Sequence, residues 1–283
     1  MLTALQAITE ILYVGVAPLF AWVGWTHATR SVDDPASRRA TRFFALYWFA
    51  IAFDAMLAAV NLLAGALGGA SGAFEETVTL AIYASISVMM SGLLYYLVFL
   101  FTGRTWALWP IIALYVAMFV VGVNVVVTSQ PTGLRMTRWA SAVTYTTDPA
   151  GVGAAVLGFA FLLPPTIGAL AYGAFMFRVH GATQRYRIAL VSAGIFVWFV
   201  TSIVLGVKTL ESSDVVQGWG RAVTLASILV VVAAYHPPAW VRRRWGIEPL
   251  VGRAVPLVHD PVQLRKRRAE RESEMADRVK HLV

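Results

Sequence analysis

Seven continuous apolar stretches constrain this chain more than any other feature. They run over residues 8–28, 42–67, 77–102, 106–128, 152–177, 187–208 and 217–236. A helix needs about 20 mainly apolar residues to cross the roughly 30 Å of bilayer hydrocarbon. Backbone groups left unpaired in lipid are not tolerated, so such runs predict helices. Strands of a membrane barrel would instead alternate apolar and polar residues, and the run 225–234 does not alternate. Only 13% of the residues are charged, against about 25% in an ordinary soluble domain, so a water-facing globule is excluded. The first stretch reads as a span and not as a cleaved leader, because no Lys or Arg precedes it and Glu10 sits at its start. The expected fold is all-α: a polytopic membrane protein with a seven-transmembrane-helix bundle over 1–239 and a basic tail over 240–283.

Positive charge predicts the orientation, because Lys and Arg accumulate on the cytoplasmic side. The chain carries a net charge of +8. Arg30, Arg38, Arg39 and Arg42 follow the first span, Arg104 the third, and Arg178, Arg185 and Arg187 the fifth, while eleven basic residues lie beyond the seventh. The other side holds only Arg135, Arg138, Lys208 and Arg221. An outside N-terminus and a cytoplasmic C-terminus in a cell membrane follow. The longest predicted outer loop is 129–151; residues 139–147 within it read either as a short hairpin or lid over the outer mouth, or as a plain ordered connector.

Ionisable and polar groups inside spans are costly and therefore mark candidate sites. Asp54 lies near the middle of the second span, and Tyr47, Asp54 and Asn61 recur every seven residues, roughly on one helical face. That face reads either as a ligand, ion or proton site, or as polar glue between helices. Tyr83, Ser87, Ser91 and Tyr95 on the third span form a polar stripe at intervals of four. Together with the second span they define a candidate ligand-binding seam, with ordinary helix packing as the alternative. Glu10 and Arg221 lie about one turn inside the outer face of the first and last spans; the expectation is a structural ion pair closing the ring, with an anion-holding Arg221 as the alternative. Pro164 and Pro165 remove two backbone donors from the fifth span and predict a kink, read as a hinge or as a kink without a mechanistic role.

Several chemistries are not expected. The chain has no cysteine, and its five histidines are unpaired along the sequence, so no metal or haem site is predicted. No hydrolase, zinc-protease or phosphate-loop motif is present, and an enzyme is not expected. A retinal Schiff base needs a lysine amine inside the seventh helix. The three lysines are Lys208, Lys266 and Lys280, none at mid-depth in a span, so a retinal pump is rejected and no cofactor is expected.

The last span ends in Tyr235-His236-Pro237-Pro238-Ala239-Trp240-Val241-Arg242-Arg243-Arg244-Trp245. Two prolines stop the helix, and tryptophans alternate with arginines at headgroup depth. The tail 240–283 has eleven basic and six acidic residues. Anionic lipid is its expected contact, at about 1 kcal/mol per charge near the surface, and residues 262–282 have a helical pattern suited to docking a cytoplasmic partner. Nucleic acid is not expected. This junction resembles the end of the seven-transmembrane sensory regions at the N-terminus of some bacterial histidine kinases. The resemblance covers residues 1–245 by topology and implies a sensory role. No output domain follows here, so signalling would pass through a separate partner.

Three functions remain in view. The leading one is a stand-alone seven-helix sensor or receptor-like protein that binds a small apolar or amphipathic ligand and signals through a cytoplasmic partner. The second is a proton-coupled small-molecule transporter using Asp54. The third is a non-catalytic subunit of a larger membrane complex.

Overall fold

A computed structural model describes residues 2–32, 34–68, 72–145, 166–178, 181–205, 214–247 and 249. Among these, the chain is helical apart from one two-stranded hairpin. The helices are α1 (Ala4–Ala28), α2 (Pro35–Leu67), α3 (Gly72–Thr102), α4 (Leu108–Ser129), α5 (Thr166–Phe175), α6 (Ala182–Leu205), α7 (Asp214–Tyr235) and the short α8 (Ala239–Trp245). Five of them, α1 to α4 and α7, are long and apolar enough to cross a membrane, the pattern of a multi-pass membrane protein. Large apolar side chains such as Ile11, Phe53 and Trp109 stand exposed on the outside of the bundle, as helices in hydrocarbon require.

Helix ends follow their capping chemistry. Thr3 and Gln6 form a reciprocal capping box at the start of α1. Asp34 caps α2 by accepting from the Ser37 N–H at 2.6 Å, with Pro35 in the first turn. Consequently α2 begins seven residues before the predicted apolar span, because Arg38, Arg39 and Arg42 continue the helix where a hydrophobicity criterion stops. Gly68, at φ 72°, ends α2 in the left-handed conformation that favours glycine.

Sequential helices α1 to α4 pack as neighbours, α6 packs on α7, and α1 also packs on α7. Helix α5 is held between α3 and α6: Gly168 meets Leu97, and the Ser192 hydroxyl donates to the Ala169 carbonyl. Helices α2 and α3 approach closely at Gly92, where a Cβ would stand 2.5 Å from the Phe43 carbonyl oxygen of α2. The centre is a dry aromatic core. Phe44 stacks on Tyr96 with ring centroids 4.2 Å apart, Tyr47 packs edge-on against Trp48 at 4.7 Å, and Phe20 stacks on Trp48 at 6.1 Å.

The loop after α4 is a hairpin of β1 (Pro131–Met136) and β2 (Ser141–Tyr145), antiparallel, with Arg135 opposite Ala142. The sequence signal in 139–147 located only its second half. The first strand, which contains Pro131 and Gly133, pairs with β2 with an irregularity between those two residues. The turn is closed by the Thr137 hydroxyl and backbone, which both bond Ala140. The predicted hinge Pro164–Pro165 and the proposed docking helix 262–282 lie outside the described residues.

Candidate functional site

The residues predicted to line one seam occupy separate environments. Tyr47 is sealed in the aromatic core, beside a crevice of about 10 Å³ that it shares with Trp198. Tyr95 is also fully buried, edge-on to Phe43, and its hydroxyl has no hydrogen-bond partner among the described residues. Tyr83 packs its ring on Gly122 of α4. The Ser87 and Ser91 hydroxyls donate back to the carbonyls of Tyr83 and Ser87, at 2.8 and 2.7 Å. Both serines border a groove of about 380 Å³ between α2, α3 and α4, whose other walls include Phe43, Leu46, Tyr115 and Phe119. With their hydroxyls engaged by backbone, they present this groove as an apolar surface.

Asn61 turns toward α3. Its amide terminus lies 3.1 Å from both carboxylate oxygens of Glu75 and donates to both when the nitrogen faces inward. Glu75 sits in the first turn of α3 and is fully buried. The hairpin rests on the same two helices. A Cβ at Gly65 would stand 2.6 Å from the Met136 sulfur, and one at Gly72 3.0 Å from the Pro131 carbonyl oxygen. Helix α1 is tied to the hairpin as well: the Gln6 amide donates to the Thr137 carbonyl, and the Thr3 hydroxyl donates to the Arg138 carbonyl at 3.0 Å.

Asp54 lies half-buried on α2, two turns before Asn61, and a separate polar contact joins α1 to α7. Arg221 donates to the Tyr13 hydroxyl and lies over the Tyr13 ring, 5.1 Å from its centroid. Among the described residues the Arg221 guanidinium is bonded to Tyr13, and the direct pairing with Glu10 expected from sequence is not formed. The Glu10 Oε2 and the Arg221 Nε are buried without hydrogen-bond partners among the described residues. A guanidinium and a phenol thus meet within helices otherwise built for hydrocarbon, and Glu10 lies one turn before Tyr13 on α1. This constellation can receive a polar or charged head whose apolar remainder lies among the helices.

A second polar contact joins the same two helices at their other ends. His27 Nε2 and the Tyr235 hydroxyl are 2.7 Å apart and buried, and the His27 ring packs edge-on against both Phe44 and Tyr235. Tyr13–Arg221 and His27–Tyr235 are each separated by 208 positions, so α1 and α7 run parallel in one register. The two rungs are about four turns, or roughly 21 Å, apart along the seam. Just beyond the second rung, the His236 ring lies 4.5 Å from that of Trp22. Pro237 and Pro238 follow, and α8 then tucks Val241 and Ile247 inward while Trp240 and Trp245 stay exposed.

Tyr13 was discoverable in the sequence, one helical turn from Glu10 on the same face. Glu75 was hidden by its assignment to a loop, and nothing local marks His27 or Tyr235 as partners. Among the described residues, no group of three or more His, Cys, Asp or Glu is placed to hold a metal. No protein-family model matches the chain, and no curated protein does either.

Proposed function

We propose that this chain is a seven-helix membrane sensor with its N-terminus outside and its C-terminus in the cytoplasm. It binds a small amphipathic ligand at Glu10, Tyr13, Asp54 and Arg221 and signals to a cytoplasmic partner through the basic tail. The observation that carries this reading is the Arg221–Tyr13 hydrogen bond between α1 and α7, together with a buried Glu10 Oε2 and Arg221 Nε that have no hydrogen-bond partner among the described residues. Three features support the wider frame. A parallel first and last span require an odd number of crossings, and α5 and α6 occupy the fifth and sixth predicted spans. The arginine asymmetry puts the hairpin outside. The resemblance of the α7–α8 junction to histidine-kinase sensory regions supports output at the tail, where Arg242 to Arg244 also meet anionic headgroups.

Native mass spectrometry of protein extracted with its own membrane lipids tests this reading. The wild type should retain a small molecule that Asp54→Asn and Arg221→Gln both lose, and the full chain should retain a partner that a chain ending at 249 loses. A wild type carrying neither sinks the proposal. A second reading, a proton-coupled carrier, draws on the same Asp54 carboxyl at depth. It requires pH-gradient-driven uptake into vesicles that Asp54→Asn abolishes, and unchanged uptake in that variant removes it.

A further inference from the structure

The most heavily buried carboxyl among the described residues is not in the ligand cluster. Glu75 is 0% exposed, yet the group bonded to it is a neutral amide, Asn61, itself 7% exposed. A carboxylate taken out of water costs several kcal/mol unless opposite charge or several donors compensate it. A single amide does not do so. One turn further along α3, Thr79 is 6% exposed, and its Oγ1 is buried with no hydrogen-bond partner among the described residues. Residues four apart lie on one helical face, so Thr79 shares the face of α3 that carries Glu75.

We propose that Glu75, Asn61 and Thr79 form a monovalent-cation site beneath the hairpin. The amide terminus that touches both carboxylate oxygens at 3.1 Å can turn over in place. Its oxygen then replaces its nitrogen and faces the two carboxylate oxygens, with the unpartnered Thr79 hydroxyl one turn along the same helical face as a further oxygen donor. The single carboxylate selects the charge of the occupant: a monovalent cation leaves the buried site neutral, whereas a divalent one leaves net charge in low dielectric. The hairpin closes the site, because Pro131 and Met136 lie directly on Gly72 and Gly65 of the two helices that carry it. The proposal stands apart from the ligand reading, since it uses none of the Glu10–Tyr13–Asp54–Arg221 groups.

Sodium is the probe. Full-length protein in nanodiscs is unfolded thermally in sodium chloride and in choline chloride at equal ionic strength and fixed pH. At a hundredfold excess over Kd, sodium should raise the wild-type Tm by roughly 5–10 °C in a saturable manner. Glu75→Gln, which keeps shape and the Asn61 contact, should abolish the sodium dependence. Thr79→Val should raise the half-maximal sodium concentration about tenfold, and Glu76→Gln, at an exposed neighbour, should change nothing. If Glu75→Gln does not fold, the Thr79→Val comparison decides alone. Equal wild-type stability in the two salts overturns the proposal, as does undiminished sodium stabilisation in both Glu75→Gln and Thr79→Val. A stability that follows pH but not sodium identifies a proton as the only occupant and overturns it too.

Discussion

Replacing Gly92 by Ala tests the close contact of α2 with α3. The added Cβ would lie 2.5 Å from the Phe43 carbonyl oxygen and 3.2 Å from the Tyr47 backbone nitrogen. Ordinary contact begins at 3.4 Å, so α2 and α3 must separate locally by close to 1 Å. Neither obstacle is a side chain that can rotate aside; both are backbone. Overpacking costs about 1–3 kcal/mol, and here the separation also loosens the Phe44–Tyr96 stack at 4.2 Å. A 1 Å gap forfeits a quarter to a half of each such contact. The expected loss is therefore at the upper end, about 3 kcal/mol, or a fall in Tm of roughly 6–12 °C. Gly15→Ala is the matched control, since a Cβ there meets nothing within 4 Å, and helix propensity alone makes it neutral to about 1 kcal/mol stabilising. Thermal unfolding followed by size-exclusion chromatography of the two variants measures the difference. A Gly92→Ala protein as stable as Gly15→Ala refutes the close packing of α2 on α3.

Two further changes have expected magnitudes. His27→Phe keeps the ring but strands the Tyr235 hydroxyl, at a cost of about 1–3 kcal/mol in a melting assay; Tyr235→Phe added in that background should cost little more, and a full second penalty would show that the two do not share a bond. Asp34→Ala removes the cap on α2 and should cost about 1 kcal/mol, with Asp34→Ser retaining most of the stability; equal losses in both would assign the effect to something other than the cap.

The positions of the apolar helices were legible because hydrophobic length is a one-dimensional signal. The polar site was not, and α2 shows why. Tyr47, Asp54 and Asn61 repeat every seven residues, but seven residues of a straight helix fall about 20° short of two full turns. Over two repeats the face rotates by roughly 40°, enough to pass from one neighbouring helix to the next. Tyr47 meets the aromatic core and Asn61 the start of α3. Periodicity reports which way a residue points from its own helix; which neighbour stands there depends on packing. The same limit applies to Glu10 and Arg221, whose helices were expected to adjoin, as they do, while the intervening Tyr13 depended on rotamers.

The parallel α1–α7 seam has a consequence for any signal crossing the bundle. Its two polar rungs sit at opposite ends of a packed middle that includes Phe20, Val23, Ile228 and Val231, all buried. A well-packed interior does not deform continuously. A ligand that pulls on Tyr13 or Arg221 can therefore reach His27 and Tyr235 only if α1 slides or rotates against α7 as a unit. Such motion makes the rungs energetically dependent on each other across roughly 21 Å. Independent sites at that separation add to within about 0.3–0.5 kcal/mol. A double-mutant cycle of Tyr13→Phe with His27→Phe should exceed this, with a coupling on the order of 1 kcal/mol in thermal or denaturant unfolding. Strict additivity would mean that the two ends respond separately, and any coupling between them would then have to run through α2 and α3, which approach closely at Gly92.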